Sequence, residues 1–403
     1  MRLLIDQAGL RSSLFAVATF SPVQILCFAA FLAAGGAIVY VLFGYPLLLG
    51  WIAKRHNHPV KKDDQLRSVS IIIAVRNGEK FIRRKLESVL ALNYPRELVE
   101  IIVVSDGSDD RTDEIACEFE AQRVRLLRVP RGGKAVALNA AVPCASGEIL
   151  IFTDVRQQVD PQALRNLIAN FGDPAIGAVS GELAIVNDQT QEESDTSLYW
   201  KYELWLRKQM CRIDSSFGCT GAFYGVRRSL FQPFPPDILL DDAYLPLTIF
   251  LKGYRVVYEP TAQMYDLPTA LDSEFRRKVR TQAGLYQFLR IMPELLSAKN
   301  RMCLHFLSGK FGRMIIPYCL ILMAVATIGM SPGWRMAAAI AQLGFYLLAL
   351  LDYVLPASFP LKHLTSPIRT FVVLMTASLL GVKVLFVSSA SLWKETKVRH
   401  PAA

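Results

Sequence analysis

The apolar residues of this sequence are concentrated towards its two ends. Residues 23–51 contain no charged residue, and a helix of that length, rising ~1.5 Å per residue, would be roughly 43 Å long. This is enough to cross a bilayer with tilt. The segments 314–330, 336–357 and 371–390 are also apolar and are separated by the short polar sequences SPGWR and KHLTSPIR. Such a chain is expected to place a folded domain between one transmembrane helix and two or three later ones.

The predicted organisation therefore has four parts. They are an N-terminal segment, 1–55, with one transmembrane helix at about 23–51; a soluble α/β domain, 65–285; an amphipathic segment at the membrane interface, 286–310; and a membrane region, 311–403, with two or three transmembrane helices. The connecting sequences AKRHNHPVKK and KHLTSPIR are both basic. By the positive-inside rule, both are expected in the cytoplasm, with the α/β domain between them.

The net charge of +10 is consistent with this topology and with contact to anionic membrane lipids, and it does not indicate a nucleic-acid partner. The seven cysteines show neither metal-ligand nor disulfide-framework spacing, as expected for a reducing cytosol. Three complete C-terminal spans would place the basic tail WKETKVRH outside. One of the three apolar segments is therefore expected to be interfacial or re-entrant.

Between the two ends, short apolar runs alternate with helical patterns. The apolar runs are SVSIIIAV, VEIIVVS, VRLLRV and EILIFTD, and the helical patterns between them are GEKFIRRKLESVLAL, DDRTDEIACEFEA and KAVALNAAV. This alternation is typical of a parallel sheet with helices on both faces. In such sheets the ligand lies at the carboxyl ends of the strands. Polar residues follow the predicted strands at these ends: Arg76, Asn77, Ser105, Asp106 and Asp154.

The second predicted strand ends in three carboxylates, those of Asp106, Asp109 and Asp110. Asp109 and Asp110 fall where the next helix is expected to start, with Ser108 as its cap, so they can be explained as first-turn acids that complement the helix dipole. Asp106 has two open interpretations: a turn-forming Asp-Gly pair, or a ligand for the hydroxyls and ring N–H groups of a nucleoside. Acids at a helix start repel phosphate, and no GxxxxGK[ST] or GxGxxG motif occurs, which excludes a Walker-type phosphate site.

The fourth predicted strand ends in Asp154. A carboxylate on so apolar a strand is costly unless a cation or several donors face it. Mg²⁺ commonly takes one or two protein carboxylates and completes its shell with water and substrate phosphates, so Asp154 is a candidate metal ligand. Arg156 would point to the same side and add positive charge to a diphosphate, and Lys134 would meet the nucleotide if it faces the crevice. A strand-end salt bridge and a solvated lysine remain the alternatives.

Several segments together resemble a known family. In chain order, IIIAVRNGEKFIRRKLESVLALNYP, EIIVVSDGSDDRTDEI, GGKAVALNAAV, FTDVRQQVDPQAL, TGAFYGVRRSLF, LLDDAYLP and GYRVVYEP resemble the family 2 glycosyltransferases with a GT-A fold. Within that family, the chain looks like the membrane-embedded, cellulose-synthase-like branch that includes polysaccharide synthases. The resemblance covers residues 68–300. It implies an α/β GT-A catalytic domain, with a Rossmann-like, mostly parallel sheet and helices on both faces, inserted between transmembrane helices.

The resemblance also implies roles for single residues. Asp106 matches the aspartate that binds the nucleoside, and Asp154 matches the first aspartate of the DxD motif, which holds Mg²⁺ or Mn²⁺ on the nucleotide diphosphate. The Asp-Asp of LLDDAY matches the end of the TED motif, which makes Asp242 the candidate catalytic base, with Asp241 beside it. Gly221, in TGAFYG, matches the loop that lines the acceptor subsite.

A carboxylate base also agrees with the residue types available in the domain. None of the five histidines of the chain falls within the predicted α/β core. The adjacent charges of Asp241 and Asp242 tend to raise one pKa, which suits a base, and a helix cap before AYLPLTIFL is the alternative explanation of the pair. A single displacement assisted by one base inverts the anomeric centre.

Two positions depart from the family pattern. The second DxD position is Arg156, so metal binding would depend on one carboxylate. The best match to the QxxRW motif of processive synthases is RKVRT, with Arg277 for Gln, Arg280 retained and Thr281 for Trp. The missing Trp removes an aromatic platform for an acceptor sugar; Arg277 and Arg280 are assigned to the acceptor site or its gate. The run EFRRKVRTQAGLYQFLR is equally explained as a basic amphipathic helix on the membrane surface.

The leading hypothesis is an integral protein of the bacterial inner membrane with its catalytic domain in the cytoplasm. It would act as an inverting glycosyltransferase from a nucleotide-sugar, expected to be a UDP-sugar, to a growing glycan or polysaccharide, with a partner for glycan export. The expected nucleotide-sugar site comprises Asn77, Asp106, Lys134, Asp154 and Arg156. Two alternatives stay open: a non-processive transferase to a lipid-linked acceptor, and a catalytically degenerate membrane protein that binds a nucleotide or a partner.

Overall fold

The computed structural model describes residues 20–185, 198–266, 271–356 and 359–387 of the 403-residue chain. The chain divides into two compact units. One contains Tyr45–Met314 with Val373–Ala403, and the other contains Met1–Gly44 with Ile315–Val372, in each case through their described residues. The first unit holds the β-sheet, and the second consists of apolar helices.

The strands form one mixed sheet. Within the described residues there are eight: β1 Val69–Val75, β2 Val99–Asp106, β3 Val124–Val129, β4 Ile149–Asp154, β5 Gln158–Val159, β6 Ile176–Ile185, β7 Phe223–Arg227 and β8 Arg255–Asp266. Their order in the sheet is β3-β2-β1-β4-β7-β6-β8-β5. The pairs β3-β2, β2-β1, β1-β4 and β6-β8 are parallel, and the pairs β4-β7, β7-β6 and β8-β5 are antiparallel. The four strands expected from the sequence are therefore parallel neighbours.

The helices of the described residues are α1 Pro22–Val39, α2 Tyr45–Arg55, α3 Glu79–Leu90, α4 Thr112–Cys117, α5 Lys134–Ala141, α6 Ala163–Ala169, α7 Leu198–Ile213, α8 Asp241–Leu251, α9 Leu271–Ile291, α10 Cys303–His305, α11 Gly312–Ile328, α12 Pro332–Leu351 and α13 Lys362–Gly381. Because successive strand residues point to opposite faces, Ile72 lies in the same apolar core as Leu138 of α5, whereas Ile71 lies in the core that contains Ile82 of α3 and Ile115 of α4. The expectation of helices on both faces is confirmed.

Helix α3 packs on the sheet through one stripe of side chains. Ile82, Leu86 and Val89 recur at helical spacing and are buried, as an amphipathic helix requires. Lys85 belongs to the same stripe and is only 1% exposed. The Lys85 side chain is thus directed at the sheet, close to the carboxyl end of β4.

The turns after β1 and β2 are joined by hydrogen bonds. Asp110 Oδ1 accepts from the backbone N–H of Thr112, at the start of α4, and Asp110 Oδ2 accepts from the N–H of Glu79, at the start of α3, both at 3.0 Å. Helix α4 begins at Thr112, later than the predicted start near Asp109. The expected Ser108 cap is wrong, because the Ser108 hydroxyl accepts instead from the Asn77 N–H at 3.2 Å.

Four helical segments in the described part of the chain are long and apolar enough to cross a membrane: Pro22–Arg55, Cys303–Ile328, Pro332–Leu351 and Lys362–Leu385. Within the helical unit, Phe28 and Trp334 are in ring contact, with centroids 5.1 Å apart. The predicted interface segment 286–310 corresponds to the end of α9, the 3₁₀ turn Pro293–Leu296, α10 and most of a π-helical turn, Phe306–Phe311.

The helical unit also contains one buried carboxylate, Asp352, directly after α12. Thr365 and Ser366 donate hydrogen bonds to its Oδ1 at 2.7 and 3.0 Å. Arg369 Nε and Lys362 Nζ lie 3.0 and 3.4 Å from its Oδ2. Two cations and two hydroxyls of α13 thus offset the desolvation of this carboxylate and tie the end of α12 to α13.

Candidate functional site

Three elements of the sheet unit bring charged side chains together around Lys134. This lysine opens α5, Asp154 ends β4 and Asp241 opens α8. Lys134 Nζ lies 2.9 Å from Asp154 Oδ1 and 3.0 Å from Asp241 Oδ2, the second contact being an ion pair not aligned as a hydrogen bond. Although burial opposes its charge, the carboxylates of Asp154, Asp241 and Asp242 raise the pKa of Lys134, so it is held as a cation.

The loop before Lys134 is held by Asp106. The Asp106 carboxylate accepts hydrogen bonds from the backbone N–H groups of Gly132, at 2.7 Å, and Gly133, at 3.0 Å. Gly133 has a φ of +89°, a conformation that glycine adopts without strain. Asp106 is buried at 6% exposure, and it therefore fixes the turn that directs Lys134 into the site.

Asp242 lies next to this cluster with a perturbed acidity. Burial and the charge of Asp241 raise the pKa of Asp242 to about 6, against the opposing charges of Lys134 and Arg280. A carboxyl group of this acidity gives up its proton near neutral pH and can accept one from a substrate, which is what a general base requires. The electrostatic effect of Arg280 also places this arginine of α9 near Asp242.

The loop TGAFYG packs directly against Asp242. The Cys219 N–H donates a 2.8 Å hydrogen bond to the Asp242 backbone carbonyl. A Cβ added at Gly221 would lie 2.8 Å from Asp242 Oδ2, closer than van der Waals contact allows. A glycine at position 221 thus leaves the room that the Asp242 carboxylate occupies.

Asn77 lies at the end of β1, beside the turn that follows β2. Its φ of +50° is in the left-handed region that Asn tolerates better than most residues. Its Oδ1 accepts from the Asp109 N–H at 3.0 Å. Asn77 and Asp106 therefore lie at the ends of the neighbouring strands β1 and β2, and Asp106 also holds the turn that precedes Lys134.

Arg156 forms its ion pair outside the Lys134 cluster. The Arg156 guanidinium forms an ion pair with Asp266, a buried residue that also accepts a 2.9 Å hydrogen bond from Gln157 Nε2. Its charge is thus offset within the protein. Arg277 is half-buried on α9, three residues before Arg280.

Sequence reasoning missed Lys85. Its Nζ donates to Thr153 Oγ1 at 2.6 Å and to the Gln157 carbonyl at 2.8 Å, so it spans the turn that carries Asp154 and Arg156. Burial lowers the pKa of Lys85 to about 7, while the charge of Asp154 acts in the opposite direction. Its position on the apolar stripe of GEKFIRRKLESVLAL was the signal that could have identified it.

The carboxylates of the site suit a divalent ion only if the substrate supplies most of its ligands. In the part of the chain that the structure describes, no three His, Cys, Asp or Glu side chains are grouped as a metal site. The Asp154 side chain is 40% exposed and uses only Oδ1 towards Lys134. One carboxylate oxygen together with diphosphate and water oxygens matches how Mg²⁺ is commonly held.

The fold has a counterpart among solved structures. A mannosyltransferase, PcManGT from Pyrobaculum calidifontis, solved with GDP-Man and Mn²⁺, superposes with a TM-score of 0.69 at 23% sequence identity, covering 90% of this chain and 99% of that one. This likeness, together with the mixed, mostly parallel sheet and its flanking helices, defines the GT-A fold. The fold class expected from the sequence is confirmed.

The sequence comparisons then identify the domain. Residues 70–234 match the family model for Glycosyl transferase family 2. The chain therefore carries a family 2 glycosyltransferase domain, as its resemblance implied. The match includes Asn77, Asp106, Lys134, Asp154 and Gly221, whereas the candidate base Asp242 lies beyond its end.

Two relatives are similar over part of their length. The chain is 28% identical over 234 residues to the poly-beta-1,6-N-acetyl-D-glucosamine synthase of Staphylococcus aureus (strain COL), covering 56% of each chain. It is 26% identical over 270 residues to the beta-monoglucosyldiacylglycerol synthase of Trichormus variabilis, covering 63% of this chain and 56% of that protein. The chain thus matches just over half the length of these relatives.

Proposed function

We propose that this chain is a membrane-bound, inverting glycosyltransferase that uses a nucleotide-sugar, with UDP-sugars as the first donors to test. The observation that carries the proposal is the position of Asp242, a carboxylate with a pKa of about 6 beside the ion-paired Lys134, Asp154 and Asp241. In this proposal Asp242 is the base, and Lys134 beside it is a fixed cation. Transfer of a sugar from a nucleoside diphosphate needs both.

In the proposed reaction, Asp242 takes the proton of an acceptor hydroxyl as its oxygen attacks the anomeric carbon of the donor sugar. The bond between that carbon and the diphosphate oxygen breaks, and its electron pair leaves with the diphosphate. Attack opposite to the leaving group inverts the anomeric centre. Lys134 stabilises the negative charge of the departing diphosphate. Mg²⁺ or Mn²⁺, held by Asp154 and by substrate oxygens, would add to this stabilisation.

The remaining candidate residues divide between donor and acceptor. Asp106 and Asn77 would receive the nucleoside at the ends of β2 and β1. Arg156 would stabilise the diphosphate only with the part of its positive charge that Asp266 does not offset. Gly221 and Arg280 would lie on the acceptor side, because both are near Asp242, and Arg277 would line the approach along α9.

For the acceptor, the leading proposal is a growing glycan or polysaccharide, with a partner for its export. It rests on the similarity to a polysaccharide synthase. The second candidate is a single transfer to a lipid-linked acceptor, favoured by Thr281 where processive synthases carry Trp. In both cases we propose that the four apolar helices lie in the bacterial inner membrane and the catalytic domain in the cytoplasm. The N-terminal segment 1–55 and the region 311–403 would then be the membrane parts, 65–285 the catalytic domain and 286–310 the segment at the membrane interface.

A donor panel tests the proposal. Full-length protein purified in detergent would be incubated with Mg²⁺ or Mn²⁺ and with UDP-, GDP- and dTDP-sugars, and the products would be analysed by mass spectrometry. We expect hydrolysis of, or transfer from, at least one donor. Asp242→Asn should abolish turnover and preserve nucleotide binding, because the amide cannot accept the proton. Undiminished turnover in this variant would remove Asp242 as the base, and no binding of any donor would favour a degenerate binding protein.

A further inference from the structure

The first turn of α8, which carries Asp241 and Asp242, begins without a side-chain cap. A polar side chain directly before a helix commonly accepts a hydrogen bond from one of the first free N–H groups and so fixes the start of the helix. The residue in that position is Leu240, which provides no such hydrogen bond. The position of the two carboxylates therefore depends on contacts that come from other elements.

Gln287, on α9, provides such a contact with both ends of its side-chain amide. Its Oε1 accepts a 3.1 Å hydrogen bond from the Leu239 N–H, and its Nε2 donates a 3.0 Å hydrogen bond to the Asp237 carbonyl. Gln287 is only 7% exposed, so water competes little for either bond. One side chain thus holds the backbone of the 237–239 segment, which ends two residues before Asp241.

Apolar contacts dock the same part of the chain on α9. Leu239 belongs to one buried cluster with Ala283 and Tyr286 of α9. A Cβ added at Gly284 would lie 2.4 Å from Leu240 Cγ, so the lack of a side chain at position 284 lets α9 approach Leu240 closely. Two hydrogen bonds and this close packing therefore hold the residues directly before Asp241 against α9.

Helix α9 is itself anchored within the sheet unit, to which residues 373–381 of α13 also belong. A Cβ added at Gly381, the last residue of α13, would lie 2.8 Å from the Ala283 backbone nitrogen. The Tyr286 hydroxyl is 3.4 Å from Ser378 Oγ, on the same part of α13. The residues of α9 that contact Leu239 are therefore packed on α13 as well, and they form a fixed support for the start of α8.

Two contacts of the site depend on where α8 begins. Asp241 Oδ2 lies 3.0 Å from Lys134 Nζ. The Asp242 backbone carbonyl accepts a 2.8 Å hydrogen bond from the Cys219 N–H, in the loop that contains Gly221. These contacts hold the first turn of α8 at the site, whereas the contacts with α9 hold the segment that leads into that turn.

We propose that Gln287 is a positioning residue for the base, which fixes the start of α8 so that the Asp242 carboxylate meets the acceptor hydroxyl. The inference rests on the proposed function, in which Asp242 takes the acceptor proton. Gln287 contacts neither donor nor acceptor in that reaction and acts through the backbone of the 237–239 segment. Its loss should lower the rate of transfer more than the affinity for the nucleotide, because the proposed nucleoside residues Asn77 and Asp106 lie at the ends of β1 and β2.

The test compares two methionine variants of α9 in full-length protein purified in detergent. Gln287→Met keeps an unbranched side chain and removes both hydrogen bonds. Gln282→Met, the matched control, removes a half-buried amide that forms no hydrogen bond with any described residue. Steady-state kinetics with the best donor of the panel would give kcat, and titration calorimetry with the nucleoside diphosphate of that donor would give Kd. Hydrogen exchange of a fragment covering residues 237–242, followed by mass spectrometry without substrates, would measure the contact itself.

We expect Gln287→Met to lower kcat by about 10- to 100-fold, because a displacement of catalytic groups by about 1 Å has effects of this size. Its Kd for the nucleoside diphosphate should stay near the wild-type value. The Leu239 amide should exchange about 10-fold faster, since the hydrogen-bond acceptor that protects it is gone. Gln282→Met should match the wild type in all three measurements.

A second variant reaches the same contact without removing a hydrogen-bonding group. In Gly284→Ala, the added methyl group would lie 2.4 Å from Leu240 Cγ, so Leu240 or α9 must move. This variant should also combine a lower kcat with a wild-type Kd for the nucleoside diphosphate. It decides the question if Gln287→Met yields no folded protein.

Wild-type kcat in Gln287→Met would overturn the inference. Nucleotide affinity that weakens as much as kcat falls would overturn it too, because Gln287 would then support the fold of the whole site. Unchanged exchange of the 237–242 fragment would mean that Gln287 does not hold this segment. If the wild type turns over no donor, the proposed function fails, and the exchange measurement still decides whether Gln287 fixes the start of α8.

Discussion

Lys85 Nζ donates a 2.6 Å hydrogen bond to Thr153 Oγ1, the side chain that directly precedes Asp154. The Thr153 hydroxyl in turn donates to the Ala222 carbonyl at 2.6 Å, next to Gly221. The buried Lys85 side chain thus connects the strand end that carries the candidate metal ligand with the loop that contacts the candidate base. Lys85 contacts neither substrate in the proposed mechanism, and we infer that it positions both sides of the site.

Replacing Lys85 by methionine should therefore impair catalysis without removing a reacting group. We expect kcat/KM for the donor to fall by about 10- to 100-fold, because misplacement of catalytic groups by about 1 Å has effects of this size. Steady-state kinetics with the best donor of the panel would measure this. Lys80→Met, at an exposed position of the same helix, is the matched control and should retain wild-type kcat/KM.

A second measurement distinguishes the positioning role of Lys85 from a role in packing alone. Burial lowers the pKa of Lys85 to about 7 from its usual value of 10.5, so between these values the unfolded chain binds more protons than the folded one. Stability should then rise with pH through this window and fall as the pH drops towards 7. Thermal unfolding followed by tryptophan fluorescence should show a weaker pH dependence in Lys85→Met than in the wild type. Identical slopes would contradict the assignment.

The acidity of Asp242 predicts the pH dependence of turnover. A base must be deprotonated, so kcat/KM should be lost as the pH falls through about 6, the pKa of Asp242. Because the charge of Asp241 raises this pKa, Asp241→Asn should move the acid limb to lower pH by roughly 0.5 to 1 unit. The measurement is a pH profile of kcat/KM for both proteins.

Asp64→Asn, which removes an exposed carboxylate of the same compact unit, should leave the acid limb of that profile in place. A shift of the limb to higher pH in Asp241→Asn would be incompatible with Asp242 as the base.

The close approach of Gly221 to Asp242 gives a steric test. A methyl group in Gly221→Ala would lie 2.8 Å from Asp242 Oδ2, so either the carboxylate or the loop must move. We expect kcat to fall by about 10-fold or more while the Kd for the nucleotide, measured by titration calorimetry, stays near the wild-type value. Gly344→Ala, where an added Cβ meets nothing within 4 Å, should behave as the wild type; a Gly221→Ala enzyme with full kcat would place the acceptor loop elsewhere.

Metal removal tests the role given to Asp154. A chelator should lower kcat/KM by about 10-fold or more, and Mn²⁺ or Mg²⁺ should restore it, because a divalent ion stabilises the leaving diphosphate. In Asp154→Asn, added metal should no longer restore kcat/KM. In the control Asp113→Asn, which removes a surface ion pair with Arg128, added metal should restore kcat/KM fully. Turnover that chelation leaves unchanged would mean that Lys134 alone supplies the positive charge.

The convergence of Lys134, Asp154 and Asp241 could be expected from the sequence, because a strand tip and two helix starts meet at one edge of a parallel sheet. The ion pair of Arg156 could not be predicted from the sequence. Its ion-pair partner, Asp266, is 110 residues away in the chain, and no local pattern reports a contact of that separation. Lys85 is hard to identify from the sequence because other charged residues surround it on the same helix. The start of α4 was misplaced because Asp110 joins two turns instead of belonging to one helix.

The hydrogen bonds of Asp110 have a consequence for donor recognition. Since one carboxylate holds the first N–H groups of α3 and α4 together, the turns after β1 and β2 form a single rigid surface before any nucleoside arrives. A preformed surface loses little conformational entropy on complex formation. Donor affinity should therefore be governed by the contacts made there, and sugar selectivity by the Asp242 side, where the proposed reaction would bring the acceptor and the anomeric carbon together.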